Sequence, residues 1–98
     1  MTITDNRDGE KLIVSLDGRL DTNTSPELEN HLKAVIVPES NLVLDFAALD
    51  YISSAGLRVL LSTQKTLYAN GSLKLVNVND VVKEILDVTG FCDILTIE

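Results

Sequence analysis

The segment LVLDFAALDYISSAGLRVLL, at residues 42–61, indicates the fold class most clearly. Its first five residues form a nearly continuous apolar run, which is typical of a central strand covered on both faces. Ser53 and Ser54 follow, and apolar residues then recur at the spacing of an amphipathic helix. A buried strand that leads into such a helix is the repeating unit of α/β folds, so we predict this class.

Upstream of this segment, the sequence predicts a hairpin and a first helix. Apolar side chains alternate along residues 12–16, and Gly9 before them indicates a turn from a short strand near Ile3. A helix should begin at Thr24, which offers a hydroxyl cap and is followed by proline and glutamate in the first turn. Pro38 should end this helix.

Downstream, two more helices alternate with strands. Residues 73–76 predict a strand, Asn79 caps a third helix that Gly90 closes, and residues 94–97 predict a short edge strand. The order β-β-α-β-α-β-α-β implies a mixed sheet with right-handed crossovers and helices packed against it. In the second helix, the predicted buried stripe is Leu57, Leu60, Leu61, Leu67 and Tyr68, and the predicted outer face is Arg58, Ser62, Lys65 and Ala69.

Length and composition limit the function classes. The chain of 98 residues, 45% of them hydrophobic, predicts one folded domain that spans residues 1–98. A net charge of −7 disfavours nucleic acid and anionic membranes as partners, because no basic patch offsets it. No signal peptide or membrane-spanning run is visible, and a single cysteine permits no internal disulfide, so we expect a reducing cytoplasm.

Catalytic and metal-binding patterns are weak. His31, the only histidine, is predicted on the exposed side of the first helix, and Cys92 is predicted to be a small buried apolar residue. Neither has a second ligand at metal-binding spacing, so we expect no metal and no cofactor. Ser54 as a nucleophile would need a nearby general base and usually a Gly-x-Ser-x-Gly elbow, and the sequence indicates neither, so we do not predict an enzyme.

The serine pair at the start of the second helix suits a phosphate switch. Free N–H groups and the helix dipole favour negative charge at this position. The small residues Ala55 and Gly56 are expected to leave the first turn open to another molecule. In an alternative interpretation the two serines only cap the helix, a common role for this residue type.

These residues resemble a known family. LDYISSAGL at residues 49–57 is similar to the signature of STAS domains, specifically of bacterial anti-sigma factor antagonists. GRLD at residues 18–21 resembles their Gly-x-Leu-Asp hallmark, and VTGF at residues 88–91 resembles their end-of-helix pattern. The resemblance spans the whole chain and implies a single STAS fold without enzyme activity.

The resemblance also implies a mechanism. Such antagonists bind an anti-sigma factor that is also a serine kinase, and binding frees the sigma factor to direct transcription. The kinase then phosphorylates the antagonist, and a PP2C-type metal-dependent phosphatase reverses this step. The family motif usually reads Asp-Ser-Ser/Thr-Gly-Leu, so alignment on Gly56 and Leu57 makes Ser54 the acceptor. Ser53 replaces the usual aspartate and is the alternative acceptor, while Ala55 removes the second hydroxyl.

The implied partner surface combines the loop before the first helix with the start of the second. A different role for the same fold is a constitutive docking subunit of a transport or stress-signalling complex. The predicted partner-binding residues are Asp21, Thr22, Asn23, Thr24, Ser53, Ser54, Ala55, Gly56 and Arg58.

Overall fold

The computed structural model describes residues 1–98 and contains five strands and three α-helices. Their order confirms the predicted succession, to which the structure adds a short 3-10 turn before the last strand. The elements are β1 (Thr2–Asp8), β2 (Lys11–Leu20), α1 (Ser25–Val35), β3 (Asn41–Ile52), α2 (Ser54–Leu67), β4 (Ser72–Val76), α3 (Asp80–Val88), the 3-10 turn (Phe91–Asp93) and β5 (Thr96–Ile97).

The strands form one mixed sheet in the order β1-β2-β3-β4-β5. β1 pairs antiparallel with β2 through a turn in which Gly9 has φ +62°, a conformation that glycine adopts readily. The remaining strands are parallel neighbours in chain order. Right-handed crossovers between such neighbours place every connecting helix on the same face of the sheet.

Only that face is covered, so the prediction that β3 is buried on both sides is wrong. Leu42, Leu44 and Phe46 are buried beneath the helices, whereas Val43 and Asp45 between them are half-exposed on the open face. The apolar run therefore indicated correctly that β3 is buried, but not that only one of its two faces is covered. Whether one or both faces are covered depends on where the crossover helices lie, and the strand order determines their positions.

The helix α2 packs in a different rotation from the predicted one. Its buried stripe is centred on Gly56, Leu60, Thr63 and Leu67, which recur at i, i+4, i+7 and i+11. Tyr68 lies about 100° further round the axis, beyond the end of the helix, and is 80% exposed. The prediction that Tyr68 belongs to the core is therefore wrong.

The third helix begins and ends as predicted. The side-chain oxygen of Asn79 accepts a hydrogen bond from the Val82 N–H at 2.8 Å, which satisfies one free donor of the first turn. Gly90 follows the helix with φ +80°, in the left-handed region.

His31 on α1 is half-buried rather than exposed, since its Nε2 lies 2.7 Å from Oδ1 of Asp5 on β1.

Candidate functional site

The site lies where the parallel strands β2 and β3 end. Arg19 pairs with Tyr51 and Leu20 with Ile52, and the Ser53 N–H donates to the Leu20 carbonyl at 2.8 Å. The chain leaves both strands at the same edge of the sheet. This pairing brings the loop after β2 and the serine pair after β3 side by side, although about thirty residues separate them in sequence.

The loop between β2 and α1 is organised around Asp21. Its Oδ1 accepts hydrogen bonds from the Asn23 N–H at 2.9 Å and the Thr24 N–H at 3.1 Å. The Thr24 hydroxyl donates to the Arg19 carbonyl at 2.6 Å and accepts from the Asp21 N–H at 2.9 Å. Thr24 makes no side-chain cap on α1, so that prediction is wrong: its hydroxyl closes the loop instead.

These bonds stabilise the ionised form of Asp21. The hydrogen bond from the Thr24 N–H has the largest effect on the pKa of the Asp21 carboxyl. It holds that pKa below its ordinary value, although partial burial acts to raise it. The charge of Arg19 also lowers this pKa. Only Oδ1 accepts the loop bonds, so the second carboxylate oxygen takes no part in closing the loop.

The two serines have different surroundings. Ser53 occupies the N-cap position of α2 in extended conformation, yet its hydroxyl makes no capping bond and is buried without a partner. Ser54 is the first residue of the helix and is exposed. The alternative in which both serines serve as caps is therefore wrong, and Ser54 carries the accessible hydroxyl.

The glycine in the first turn of α2 serves close packing. A Cβ at Gly56 would lie 2.7 Å from Cγ of Leu20 and 2.8 Å from Cγ1 of Ile52. Gly56 is buried, so the expectation that it opens the first turn is wrong. It lies beneath the predicted partner surface and lets α2 approach the ends of both strands.

The other predicted contact residues come together around a shallow groove. Thr22, Asn23, Ser54 and Arg58 are exposed, and Ala55 is half-exposed. Some of the residues that line this groove were not predicted from the sequence, because a groove between two helices has no local motif. The groove is lined by Thr22, Ser25, Pro26, Glu29, Ala55, Arg58 and Val59.

Residues 2–98 match the STAS domain family. The chain belongs to the STAS domain family. BtrV of Bordetella bronchiseptica, assigned as an anti-sigma factor antagonist, is 36% identical over 99% of this chain and 85% of its own length. The anti-sigma-B factor antagonist of Bacillus subtilis is 31% identical over 86% of this chain and 78% of its own length.

A solved structure shows the same fold. The crystal structure of an anti-sigma factor antagonist from Mycobacterium paratuberculosis superimposes with a TM-score of 0.90 at 25% identity. The match covers 98% of this chain and 83% of that one. The relatives of this STAS domain are thus regulatory proteins named for a protein partner.

Other parts of the STAS domain offer little chemistry. It contains no group of three or more His, Cys, Asp or Glu side chains that could hold a metal ion. None of its helices has the length and hydropathy needed to cross a membrane. Cys92 is half-buried rather than buried, and a hydrogen bond with Asp87, together with desolvation, raises the pKa of its thiol.

Proposed function

We propose that this STAS domain is an anti-sigma factor antagonist whose binding is switched off by phosphorylation of Ser54. The observation that carries the proposal is the exposed Ser54 hydroxyl at the start of α2, directly beside the loop that Asp21 organises. The similarity to antagonists over nearly the whole chain supports the same role. The partner surface consists of the loop residues Asp21, Thr22, Asn23 and Thr24 with Ser54, Ala55 and Arg58.

The local geometry favours Ser54 over Ser53 as the acceptor. A kinase must reach the hydroxyl, and only Ser54 is exposed, whereas the Ser53 hydroxyl is buried. The first turn of α2 contains no acidic residue of its own that would compete with a phosphate for the free N–H groups. A phosphate at Ser54 is therefore compatible with the folded domain.

Phosphate would act on the interface rather than on the fold. It adds about −1.5 to −2 charge at neutral pH. The surrounding surface already carries the Asp21 carboxylate and Glu29, and the part of the partner that covers Ser54 is taken to be apolar or acidic. A dianion buried against that partner loses its hydration without a new counter-ion. About 2.8 kcal/mol of such cost lowers affinity a hundredfold.

The binding partner is an anti-sigma factor with serine kinase activity, and a PP2C-type phosphatase restores the unmodified state. The domain itself performs no catalysis, and the exchange takes place in the cytoplasm. Sigma-factor activity, and hence transcription, then follows the phosphorylation state of Ser54.

Parallel co-purification from host extract tests this proposal. The baits are wild type, Ser54→Asp and Ser62→Asp, with captured proteins identified by mass spectrometry. Ser62 is exposed further along α2 and lies outside the site, so it controls for an added charge on the same helix. We expect wild type and Ser62→Asp to capture a serine kinase of the ATPase fold that Ser54→Asp loses.

Two results would contradict the proposal. Equal capture by all three baits, particularly of a membrane transporter, would favour a constitutive docking subunit. Phosphopeptide mapping of the protein isolated from its host that finds phosphate only on Ser53 would move the switch to the neighbouring residue. A circular dichroism spectrum of Ser54→Asp identical to that of wild type controls for misfolding.

A further inference from the structure

The helix α3 presents two parallel rows of side chains to solvent. Val82 and Leu86 point into the core and account for its packing on the sheet. One residue earlier in each turn, a second apolar row runs along the outside of the helix. A row of carboxylates lies next to it.

The apolar row consists of Val81, Ile85 and Val88, at i, i+4 and i+7 on one face. Val81 is 56% exposed, Val88 is 77% exposed, and Ile85 between them is half-buried. The outer face of a surface helix is ordinarily polar, and valine is a weaker helix former than most residues. Neither folding nor helix propensity therefore explains valine at both exposed positions.

The acidic row consists of Asp80, Glu84 and Asp87, again at i, i+4 and i+7. All three are exposed, and none takes part in the ion pairs of the chain, which join other residues. Lys83, the only cation of α3, lies on the far side of this row from the valines. The row therefore presents three carboxylates without a salt bridge along one edge of the apolar row, and one of them, Asp87, is also hydrogen-bonded with Cys92.

We propose that this two-row surface of α3 docks an amphipathic helix of a partner protein, whose apolar edge is flanked by lysine or arginine. Apolar anchors at i, i+4 and i+7 match the spacing by which one helix reads another. The acidic row selects a cationic partner and speeds encounter with it. A second copy of this chain would bring an identical acidic row against it, and each copy has a net charge of −7.

This surface is separate from the Ser54 switch. α3 begins at the same sheet edge, where the Asn79 side chain donates to the Leu49 carbonyl at 2.8 Å, but its two rows then run away from that edge. The groove beside Ser54 lies between α1 and α2 and includes no residue of α3. Docking on α3 therefore does not depend on the phosphorylation state of Ser54.

A titration with synthetic peptides tests the proposal. The probe is a helical peptide with leucine at i, i+4, i+7 and i+11 and lysine along the neighbouring row, and its counterpart carries glutamate in place of lysine. Amide NMR shifts of the full chain locate the binding surface, and fluorescence anisotropy gives the affinity. We expect the lysine peptide to shift the amides of α3, and the glutamate peptide to bind at least about tenfold more weakly.

Matched variants separate this surface from general attraction to an acidic protein. Val81→Ser with Val88→Ser, and separately Glu84→Lys, should each weaken the lysine peptide about tenfold or more. The controls are Val37→Ser, a valine 57% exposed outside α3, and Glu39→Lys, an exposed glutamate near it. Both controls and Ser54→Asp should bind as wild type does.

Three results would overturn the proposal. Amide NMR shifts that the lysine peptide causes outside α3 would do so. Equal weakening of peptide binding by the control and test variants would also overturn it. A dimer seen by sedimentation that Val81→Ser with Val88→Ser dissociates would make the surface a contact between copies. All variants leave the core contacts of Val82 and Leu86 intact, and unchanged circular dichroism would verify their folding.

Discussion

Replacing Gly56 with alanine measures how closely α2 approaches the sheet beneath the proposed switch. The new Cβ would stand 2.7 and 2.9 Å from Cγ and Cδ2 of Leu20, and 2.8 Å from Cγ1 of Ile52. Unstrained carbon contacts are about 3.5–4.0 Å. Both neighbours are completely buried, so they cannot rotate into solvent to relieve the overlap. Either the helix must move outward or the two side chains must leave their rotamers.

Two opposing effects determine the size of the change. Overpacking a core typically costs about 1–3 kcal/mol. Alanine favours a helix over glycine by about 1 kcal/mol. The contacts at Gly56 involve both strands, so we place the overpacking cost near the middle of its range. The free energy of unfolding should then fall by about 1 kcal/mol, with a decrease in Tm of about 4–8 °C.

Urea unfolding followed by circular dichroism gives this free energy directly. A double-mutant cycle with Leu20→Ala identifies the cause, since that change removes two of the three short contacts. In the Leu20→Ala background, Gly56→Ala should be neutral or stabilising. Gly56→Ala that stabilises wild type by about 1 kcal/mol, or acts equally in both backgrounds, would refute the packing argument.

Three further measurements test other contacts of the site and fold. Ser53→Ala should leave the free energy of unfolding unchanged or slightly raised, because the buried hydroxyl has no partner to lose; a decrease of about 1 kcal/mol would indicate a capping role after all. Asn79→Ala should lower it by about 1–2 kcal/mol in the same urea assay, since both the cap of α3 and the bond to the Leu49 carbonyl disappear. The exposed Asn70, changed to alanine, is the control and should have little effect. The lowered pKa of Asp21 stabilises the fold above the unfolded value of about 3.9, and this contribution is lost as pH falls through the lowered folded value. Asp21→Asn should therefore lose less stability than wild type on acidification below about pH 4, and equal losses in urea titrations would assign the effect to other carboxylates.

The sequence predicted the candidate site in outline because its components are local. A glycine and an aspartate at the end of one strand, and serines between a strand and a helix, are turn and cap signals within a few residues of each other. The environments of these residues were less predictable. Thr24 looked like a helix cap, but its hydroxyl instead donates to the Arg19 carbonyl and accepts from the Asp21 N–H, which closes the loop. Such competition between nearby hydrogen-bond partners depends on three-dimensional geometry.

The order of the elements and the family resemblance were readable from the sequence, and so was the prediction that Ser54 is the phosphate acceptor. Apolar spacing specifies whether a segment forms a strand or a helix, and small motifs specify where the chain turns. Only in the folded chain does it become visible that one face of the sheet is open, that Gly56 is buried against Leu20 and Ile52, and that the Ser53 hydroxyl has no partner. These facts depend on which elements pack together and at what distance, and contacts between residues far apart in the chain have no local pattern to reveal them.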